Sequence, residues 1–410
     1  MLLYAPLERY RARYTELLSK PVTGWMERNW REVDLVYSRL QDDVLGPTGE
    51  PDRMRMGFVL DARKRFGQCS SQIEHLLKLI EDELVDDDDV IYFEDFWTPG
   101  IEQVFYALDL KGLHPKMFAF CWAQSCDRYD FTARMGKWIK NFEAGIATGL
   151  TGIFFAHPLL RDIFSCEYGH RDKLHVVGLP FDSRDVFGRM PTGPSHEWKR
   201  EDQVVFSSRW DTEKNPDFFL EVANNYWKRG AAVKFIVCTG HDEIRSNNPE
   251  LLKDLRIAEK SGIVRVYRGL TKEEYYHHLA HSKIQFNCAD QDWVSFTLLE
   301  SGVAGCYPVY PNYRSFPDTF LHHKEFMYDH KSAPAACDMI DRVLEGNYWT
   351  QSEIFARSWI YFRFNFTWLR MLKAMGIDDG LRISTWHSEA NMDPFEDNPM
   401  RNLIYNRQGV

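Results

Sequence analysis

Two pairs of polar residues have the types and spacing to handle a phosphorylated sugar. The first is Arg209 and Lys214, in FSSRWDTEKNPD, where an apolar run that reads as a strand passes into a turn and Pro216 suits the first turn of a helix. Both cations then stand where a strand ends and a helix begins. Converging there they could clamp a diphosphate, since Arg grips phosphate oxygens bidentately and Lys adds a point charge. An Arg and a Lys exposed in a loop are the competing reading. The second pair is Asp292 and Glu300, in DQDWVSFTLLESGVAGCYPVYP. KIQFNCAD ahead of it reads as a strand, DQDW as a turn and SFTLLESGVAG as a helix. The first N–H groups of that helix, around Ser295, Phe296 and Thr297, could hold phosphate. Glu300, about one turn further in, could accept from a ribose diol, and Asp292 could meet a sugar. A capping role for Asp292 and a surface position for Glu300 remain open.

The elements that must position these pairs read as α/β. Short apolar runs alternate with helical periodicity, the pattern of βα units and a parallel sheet. In the first half strands are expected at 56–61, 90–96, 116–122, 152–157 and 173–180, with a helix in SSQIEHLLKLIEDEL presenting Ile73, Leu76, Leu77 and Ile80 on one face. FGRMPTGPSHEWKRED has the Gly, Pro, Ser and charge of a linker. A second βα series follows, with strands in QVVFSSRW, VKFIVCTG, IVRVYRG, KIQFNCAD and YPVYP. The expected division is a first domain over 1–188, a second over 189–350, a long aromatic helix over 351–376 crossing back to the first domain, and a tail over 377–410 with no assigned role. Two such domains imply a cleft between them. The acidic run Asp86 to Asp89 precedes its strand and reads as a solvated turn rather than a metal site.

Composition bounds the function. With 44% apolar, 15% aromatic and 27% charged residues in 410, the chain can bury two sizeable cores. Its apolar runs fall far short of the roughly 20 residues that cross a bilayer, and the opening residues lack a signal-peptide pattern, so a soluble, cytoplasmic protein is expected. Eight scattered cysteines read as reduced thiols, with no structural metal. A net charge of -10 argues against non-specific coating of nucleic acid. A local basic patch nevertheless gathers Arg53, Arg55, Arg63, Lys64 and Arg65, with RYRARY and MERNWRE nearby; a solvated face is the plainer reading of it.

The carboxylate at 292 followed by Glu300 in LLE-x4-G-C-x-P-V resembles the retaining, nucleotide-sugar-dependent glycosyltransferases of the GT-B fold, in the large family that includes sucrose synthases. SRWDTEKNPD resembles the Arg-x4-Lys donor motif of the same family. The resemblance implies two Rossmann-like domains facing across a cleft, with a C-terminal crossover helix. It implies that Arg209 and Lys214 grip the donor diphosphate, Glu300 binds the ribose and Asp292 contacts the transferred sugar. Gly240 and Arg268 fall where such enzymes line the nucleotide pocket, beside Ser295, Phe296 and Thr297. A hexosyl or pentosyl transfer from a nucleotide sugar, a UDP-sugar by preference, with no metal and no further cofactor, is implied. Asp292 and Trp293 depart from the family's usual glutamate and small residue, which bears on donor identity. A histidine usual after the 116–122 strand is also missing, and Gln124, Ser125, Asp127 and Asp130 stand in that loop, as acceptor-binding candidates or as a structural turn.

The acceptor should meet the first domain. A basic loop at Arg63, Lys64 and Arg65 facing the cleft would suit a polyanion, and phosphate contacts supply affinity without sequence reading. GCYPVYP resembles phage DNA α-glucosyltransferases, which implies double-stranded DNA with hydroxymethylated pyrimidines as partner, in a host cytoplasm. A flipped base would suit aromatic walls such as Trp97 and Trp122. The rival readings are a glycan, lipid or small-molecule acceptor, and a non-catalytic nucleotide-sugar-binding relative.

Overall fold

A computed structural model describes residues 1–7, 9–10, 37–39, 44–45, 62–181, 183–191, 200–290, 292, 295–346 and 367–377. Its strands are β1 (Leu2–Ala5), β2 (Arg9–Tyr10), β3 (Tyr37–Arg39), β4 (Val44–Leu45), β5 (Val90–Phe93), β6 (Lys116–Phe120), β7 (Gly152–Phe155) and β8 (Leu174–Val176), then β9 (Glu201–Phe206), β10 (Lys234–Cys238), β11 (Arg265–Tyr267), β12 (Ser282–Phe286), β13 (Tyr307–Pro311) and β14 (Met327–Tyr328). They form two six-stranded sheets, ordered β3-β1-β5-β6-β7-β8 and β11-β10-β9-β12-β13-β14, and a β2-β4 pair. Every pairing is parallel. The helices are α1 (Ala62–Glu81), α2 (Ile101–Lys111), α3 (Trp138–Gly149), α4 (Pro158–Tyr168), α5 (Ser183–Gly188), α6 (Pro216–Lys228), α7 (Pro249–Lys260), α8 (Lys272–Ala280), α9 (Phe296–Ala304), α10 (Phe316–Thr319), α11 (Ala333–Glu345) and α12 (Thr367–Met375).

Strands covered on both faces need apolar residues at every position, and β1, β5 and β7 are buried throughout. Leu3, Ala5, Ile91 and Phe93 meet Ile73, Leu76 and Ile80 of α1 on one face of the first sheet. Leu2, Tyr4 and Tyr92 point the other way, into a core that continues through Val177, Leu179, Trp368 and Met371 to the second sheet. Helix α12 is tied to the chain after β8: Thr367 Oγ1 donates to the Leu179 carbonyl at 2.8 Å and the Arg370 guanidinium to that of Val177 at 2.9 Å.

The observed strands stop a few residues before the apolar runs do, because the residues after each strand turn into the loops at the sheet's carboxyl edge. Strand β1, next to the edge strand β3, carries no period that marks it: a run of four apolar residues ahead of a polar stretch has too little pattern. The ARKRF segment, expected as a loop, forms the first turn of α1. The strand expected at 56–61, the basic residues Arg53 and Arg55, most of the expected linker, the helix before Thr367 and the tail beyond residue 377 lie outside the described residues. Asp86, Asp87 and Asp88 are exposed in a turn, as the solvated-turn reading has it, whereas Asp89 is buried, accepting from the Asp86 amide and pairing with the Met1 amino group.

Gly152 opens β7 where a Cβ would stand 2.7 Å from the Phe118 ring, which stacks on Phe154 at 5.5 Å. Gly152→Ala should therefore lower stability by about 1–3 kcal/mol, the usual cost of overpacking a close contact. Urea denaturation checks this, and a change below about 0.5 kcal/mol would leave the close approach without consequence.

Candidate functional site

In an open parallel sheet the crevice for a ligand lies at the carboxyl ends of the two strands where the connection order reverses. In the second sheet the chain runs β9, β10, β11 in one direction and then returns to place β12 on the other side of β9. Arg209 and Lys214 follow β9, and Asp292 follows β12. Arg209, Lys214 and Asp292 thus stand at the carboxyl ends of adjacent strands, held in register by Ile284 opposite Val204 and Gln285 opposite Val205, while Glu300 lies within α9.

Lys214 is held from several directions. It ends a 3-10 turn at Thr212–Lys214, after which Asn215 adopts the left-handed conformation at φ 47° and Pro216 opens α6. The Asn215 side chain donates to the Cys288 carbonyl at 2.8 Å, and the Cys288 thiol donates back to the Lys214 carbonyl at 3.3 Å. The backbone of the β9 loop is therefore stitched to that of the β12 loop. The Lys214 side chain is only 9% exposed, and its ammonium lies 3.7 Å from Asp292 Oδ2, an ionic contact too long for a direct hydrogen bond. Burial pushes its pKa down, while Asp292 works against that shift. Asp292 is fixed in turn: its carbonyl accepts from Ser315 and Asn287 lies 3.5 Å from its carboxylate.

Arg209 stands at the same edge with its side chain 59% exposed, forked between Asp211 at 2.8 Å and Glu213 at 2.7 Å. An incoming diphosphate would have to draw the guanidinium from these two carboxylates. Ser295 precedes α9, and its hydroxyl lies 2.6 Å from that of Thr297. Phe296 begins the helix, so the positive end of its dipole lies at this loop. The helix ends where Gly305, at φ 75°, turns left-handed: its amide donates to Gly302 and that of Cys306 to Ser301, so α9 passes tightly into β13.

Glu300 is not a surface carboxylate. Its side chain is 2% exposed, and Oε1 accepts from Lys272 Nζ at 2.6 Å and from the Tyr276 hydroxyl at 3.0 Å. Sequence reasoning missed Lys272 and Tyr276, because no local spacing joins α8 to α9. Gly240 lies exposed in the loop after β10. Arg268 follows β11, but its guanidinium forks onto Glu259 of α7 at 2.8 and 2.6 Å, so lining a nucleotide pocket would require that pair to open.

The first sheet corrects the acceptor-side expectations. Arg65 is buried in α1 and paired with Asp95, which a guanidinium inside a core needs, so it is not part of an exposed basic loop. Arg63 and Lys64 are in the first turn of α1, with side chains outside the described ones. Trp97 packs into the core and donates to the Ala123 carbonyl at 3.1 Å, so it is no cleft wall; Trp122, half-buried, stacks on Phe120 at 4.1 Å. In the loop after β6 the structural turn prevails. Gln124 donates to the Leu160 carbonyl at 3.1 Å, Ser125 to buried Glu143 at 2.6 Å, and Asp130 caps a 3-10 turn by accepting from Thr132 at 3.0 Å. Asp127 is also buried, but its partner comes from the other sheet: Arg314, after β13, reaches its Oδ1 at 3.1 Å.

That ion pair belongs to a contact joining the carboxyl edges of both sheets. Tyr129 and Tyr313 meet hydroxyl to hydroxyl at 3.1 Å, and the Arg314 guanidinium lies over the Tyr129 ring at 4.6 Å. Tyr313 stacks on His330 at 4.0 Å, and His330 lies 2.7 Å from Asp290, whose amide donates to the Glu213 carbonyl at 2.9 Å. The contact therefore leads back to the loop carrying Arg209 and Lys214.

Among the described residues no group of three or more His, Cys, Asp or Glu is placed to hold a metal ion, no helix is long and apolar enough to cross a membrane, and no disulfide joins any of the eight cysteines.

No family model matches the chain. Over 132 residues it is 30% identical to tRNA-queuosine alpha-mannosyltransferase of Drosophila melanogaster, a match covering 32% of this chain and 33% of that relative. Three solved structures resemble it more closely in shape than in sequence. Sucrose-phosphate synthase of Thermosynechococcus elongatus superposes with a TM-score of 0.63 at 11% identity, over 91% of this chain and 96% of its own. Anabaena HepE, bound to UDP and glucose, gives 0.60 at 12% identity, over 92% and 99%. A Staphylococcus aureus TarM variant, bound to fondaparinux, alpha-GlcNAc-glycerol and UDP, gives 0.57 at 15% identity, over 76% and 58%. The chain has the GT-B glycosyltransferase fold.

Two outcomes test this geometry. Arg314→Ala leaves the buried Asp127 carboxylate without its cation and should cost about 3 kcal/mol in chemical denaturation, whereas loss of an exposed pair costs less than about 1 kcal/mol. Burial pushes the Asp130 pKa up to about 6, above the roughly 3.9 of an unfolded aspartate, so the native state holds that proton more tightly. The stability this confers is complete below about pH 4 and lost as pH rises through about 6. Asp130→Asn should flatten the fall in stability across that window, and an unchanged slope would contradict the shift.

Proposed function

We propose that the protein is a retaining glycosyltransferase that moves a hexosyl or pentosyl group from a nucleoside diphosphate sugar to an acceptor hydroxyl without a metal ion. The observation that carries this reading is Lys214 beside Asp292 at the carboxyl ends of β9 and β12, where the strand order reverses. A buried ammonium and a carboxylate there offer one group to a diphosphate and one to the sugar attached to it. Residues 189–350 are the donor domain in this reading, 1–188 the acceptor domain, and 351–376 the crossover.

Lys214 and Arg209 hold the diphosphate, helped by the dipole of α9 and the hydroxyls of Ser295 and Thr297. Glu300 accepts from the ribose, Asp292 orients the transferred sugar, and the Gly240 loop and Phe296 flank the nucleotide. The bond from the anomeric carbon to the diphosphate oxygen breaks as the acceptor oxygen bonds to that carbon from the same face. The acceptor proton passes to an oxygen of the departing diphosphate, so no side-chain base is needed. What the protein supplies is preorganised positive charge where negative charge develops, and the low exposure of Lys214 strengthens it. UDP or UDP-glucose in HepE and UDP in TarM support a UDP-sugar as donor.

The acceptor in this reading is a hydroxyl on a modified base of a nucleic acid. The partial likeness to an enzyme named for queuosine in tRNA supports that class, and the likeness of GCYPVYP to DNA α-glucosyltransferases supports hydroxymethylated double-stranded DNA within it. Mass spectrometry of products, after incubation with UDP-, GDP- and ADP-sugars, tests this on hydroxymethylcytosine DNA, queuosine-containing tRNA and a panel of glycans. Sugar added to glycans alone overturns the nucleic-acid reading. Neither transfer nor donor hydrolysis with any sugar nucleotide overturns the enzyme, leaving a binding protein. Arg209→Ala and Lys214→Ala should each lower kcat/KM by the equivalent of about 2–4 kcal/mol, and wild-type values in both would refute the clamp.

A further inference from the structure

Lys272 is the first residue of α8, where Thr271 and Glu274 form a capping box that fixes the helix start. A cation at the amino end of a helix opposes the helix dipole, so this position requires a compensating partner. Glu300 supplies it, with Nζ 2.6 Å from Oε1. The ammonium also lies 5.5 Å from the Tyr275 ring and 5.6 Å from the Tyr276 ring, and the Tyr276 hydroxyl donates to the same carboxylate oxygen. Both bonds land on Oε1, and among the described residues Oε2 receives none. A carboxylate 2% exposed is costly to bury unless a charge is paired with it and its geometry is held.

We propose that Lys272 is a positioning and specificity residue of the donor site: it pins Glu300 through Oε1, so that Oε2 alone faces the ligand and receives one hydroxyl of the donor ribose. The inference rests on Glu300 being the ribose ligand, as above. Accepting a diol with both carboxylate oxygens would mean giving up the charge-assisted bond to Lys272. With Oε1 committed, a nucleotide lacking the matching hydroxyl leaves Oε2 buried and unsatisfied, and the site rejects it. Lys272 thereby makes the protein choose ribonucleoside over deoxyribonucleoside diphosphates without touching the ligand. In a protein exposed to both pools this choice protects the donor site from occupation by deoxynucleotides.

Calorimetric titration with UDP, 2′-deoxy-UDP and 3′-deoxy-UDP reads this directly, with the corresponding guanosine series used if UDP does not bind. The full-length protein should bind the ribonucleotide about 10- to 100-fold more tightly than one of the two deoxy analogues. Lys272→Met should reduce that ratio to below about threefold, and Lys272→Arg should restore most of it. A merely structural lysine would change stability and leave the ratio alone. If Lys272→Met does not fold, Tyr276→Phe, which removes the second bond to Oε1, should lower the ratio in the same direction. A wild-type ratio retained in the foldable variants overturns the proposal. Discrimination lost in Glu300→Gln but kept in Lys272→Met overturns the role of Lys272 alone. Wild-type affinity and discrimination in Glu300→Gln overturn the ribose site itself, and no binding of either nucleotide series overturns both.

Discussion

An ammonium group can be kept almost dry only where a carboxylate and a rigid backbone hold it, and the Lys214 site meets that constraint with residues from two strands. The amine lies 3.7 Å from Asp292, and its backbone is locked by Asn215 and Cys288. Neither loop has this shape alone. The bonds that join them exist because β9 and β12 are neighbours, and they are neighbours because the strand order reverses between them. The site is thus a consequence of topology, and the parallel sheet with apolar residues on both faces is what maintains it.

The same logic organises the carboxylates around it. Each one is matched by a cation or a donor: Asp292 by Lys214 and Glu300 by Lys272 and Tyr276 from other elements, and Asp211 and Glu213 by Arg209 of their own loop. Charge neutralised in this way costs less to bury, and it leaves groups that a phosphate or a hydroxyl can recruit by exchange. The carboxyl edge of the first sheet is built differently. The loop after β6 turns Gln124, Ser125 and Asp130 inward, and its Asp127 and Tyr129 meet Arg314 and Tyr313 of the second sheet. Here polar residues at a strand end hold the two halves of the molecule together.

Much of the architecture was legible in the residues. Near-continuous apolar runs at β5, β6, β7, β9, β10, β12 and β13 announce strands buried on both faces, and the Gly305 turn announces the end of α9. Lys214, Asp292, Ser295 and Thr297 could be placed at strand ends from sequence because they follow β9 and β12 directly, where chain order and spatial position coincide. The short strand β1 has too few residues for a period. Arg65 read as exposed because basic residues usually are, and its burial depends on Asp95, which no spacing rule connects to it.

Local order is set by side-chain volume and backbone preference over a few residues, and those are written along the chain. The sequence by itself therefore determined the α/β class, the two sheets and the strand ends at which polar groups gather. Which of those groups are exposed, paired or buried is decided by partners on other elements, far away in the chain for Lys272 and Glu300 or Arg314 and Asp127. Electrostatic energy depends on distance through space and on exclusion of water, so only the tertiary structure could say which carboxylates are held, and by what.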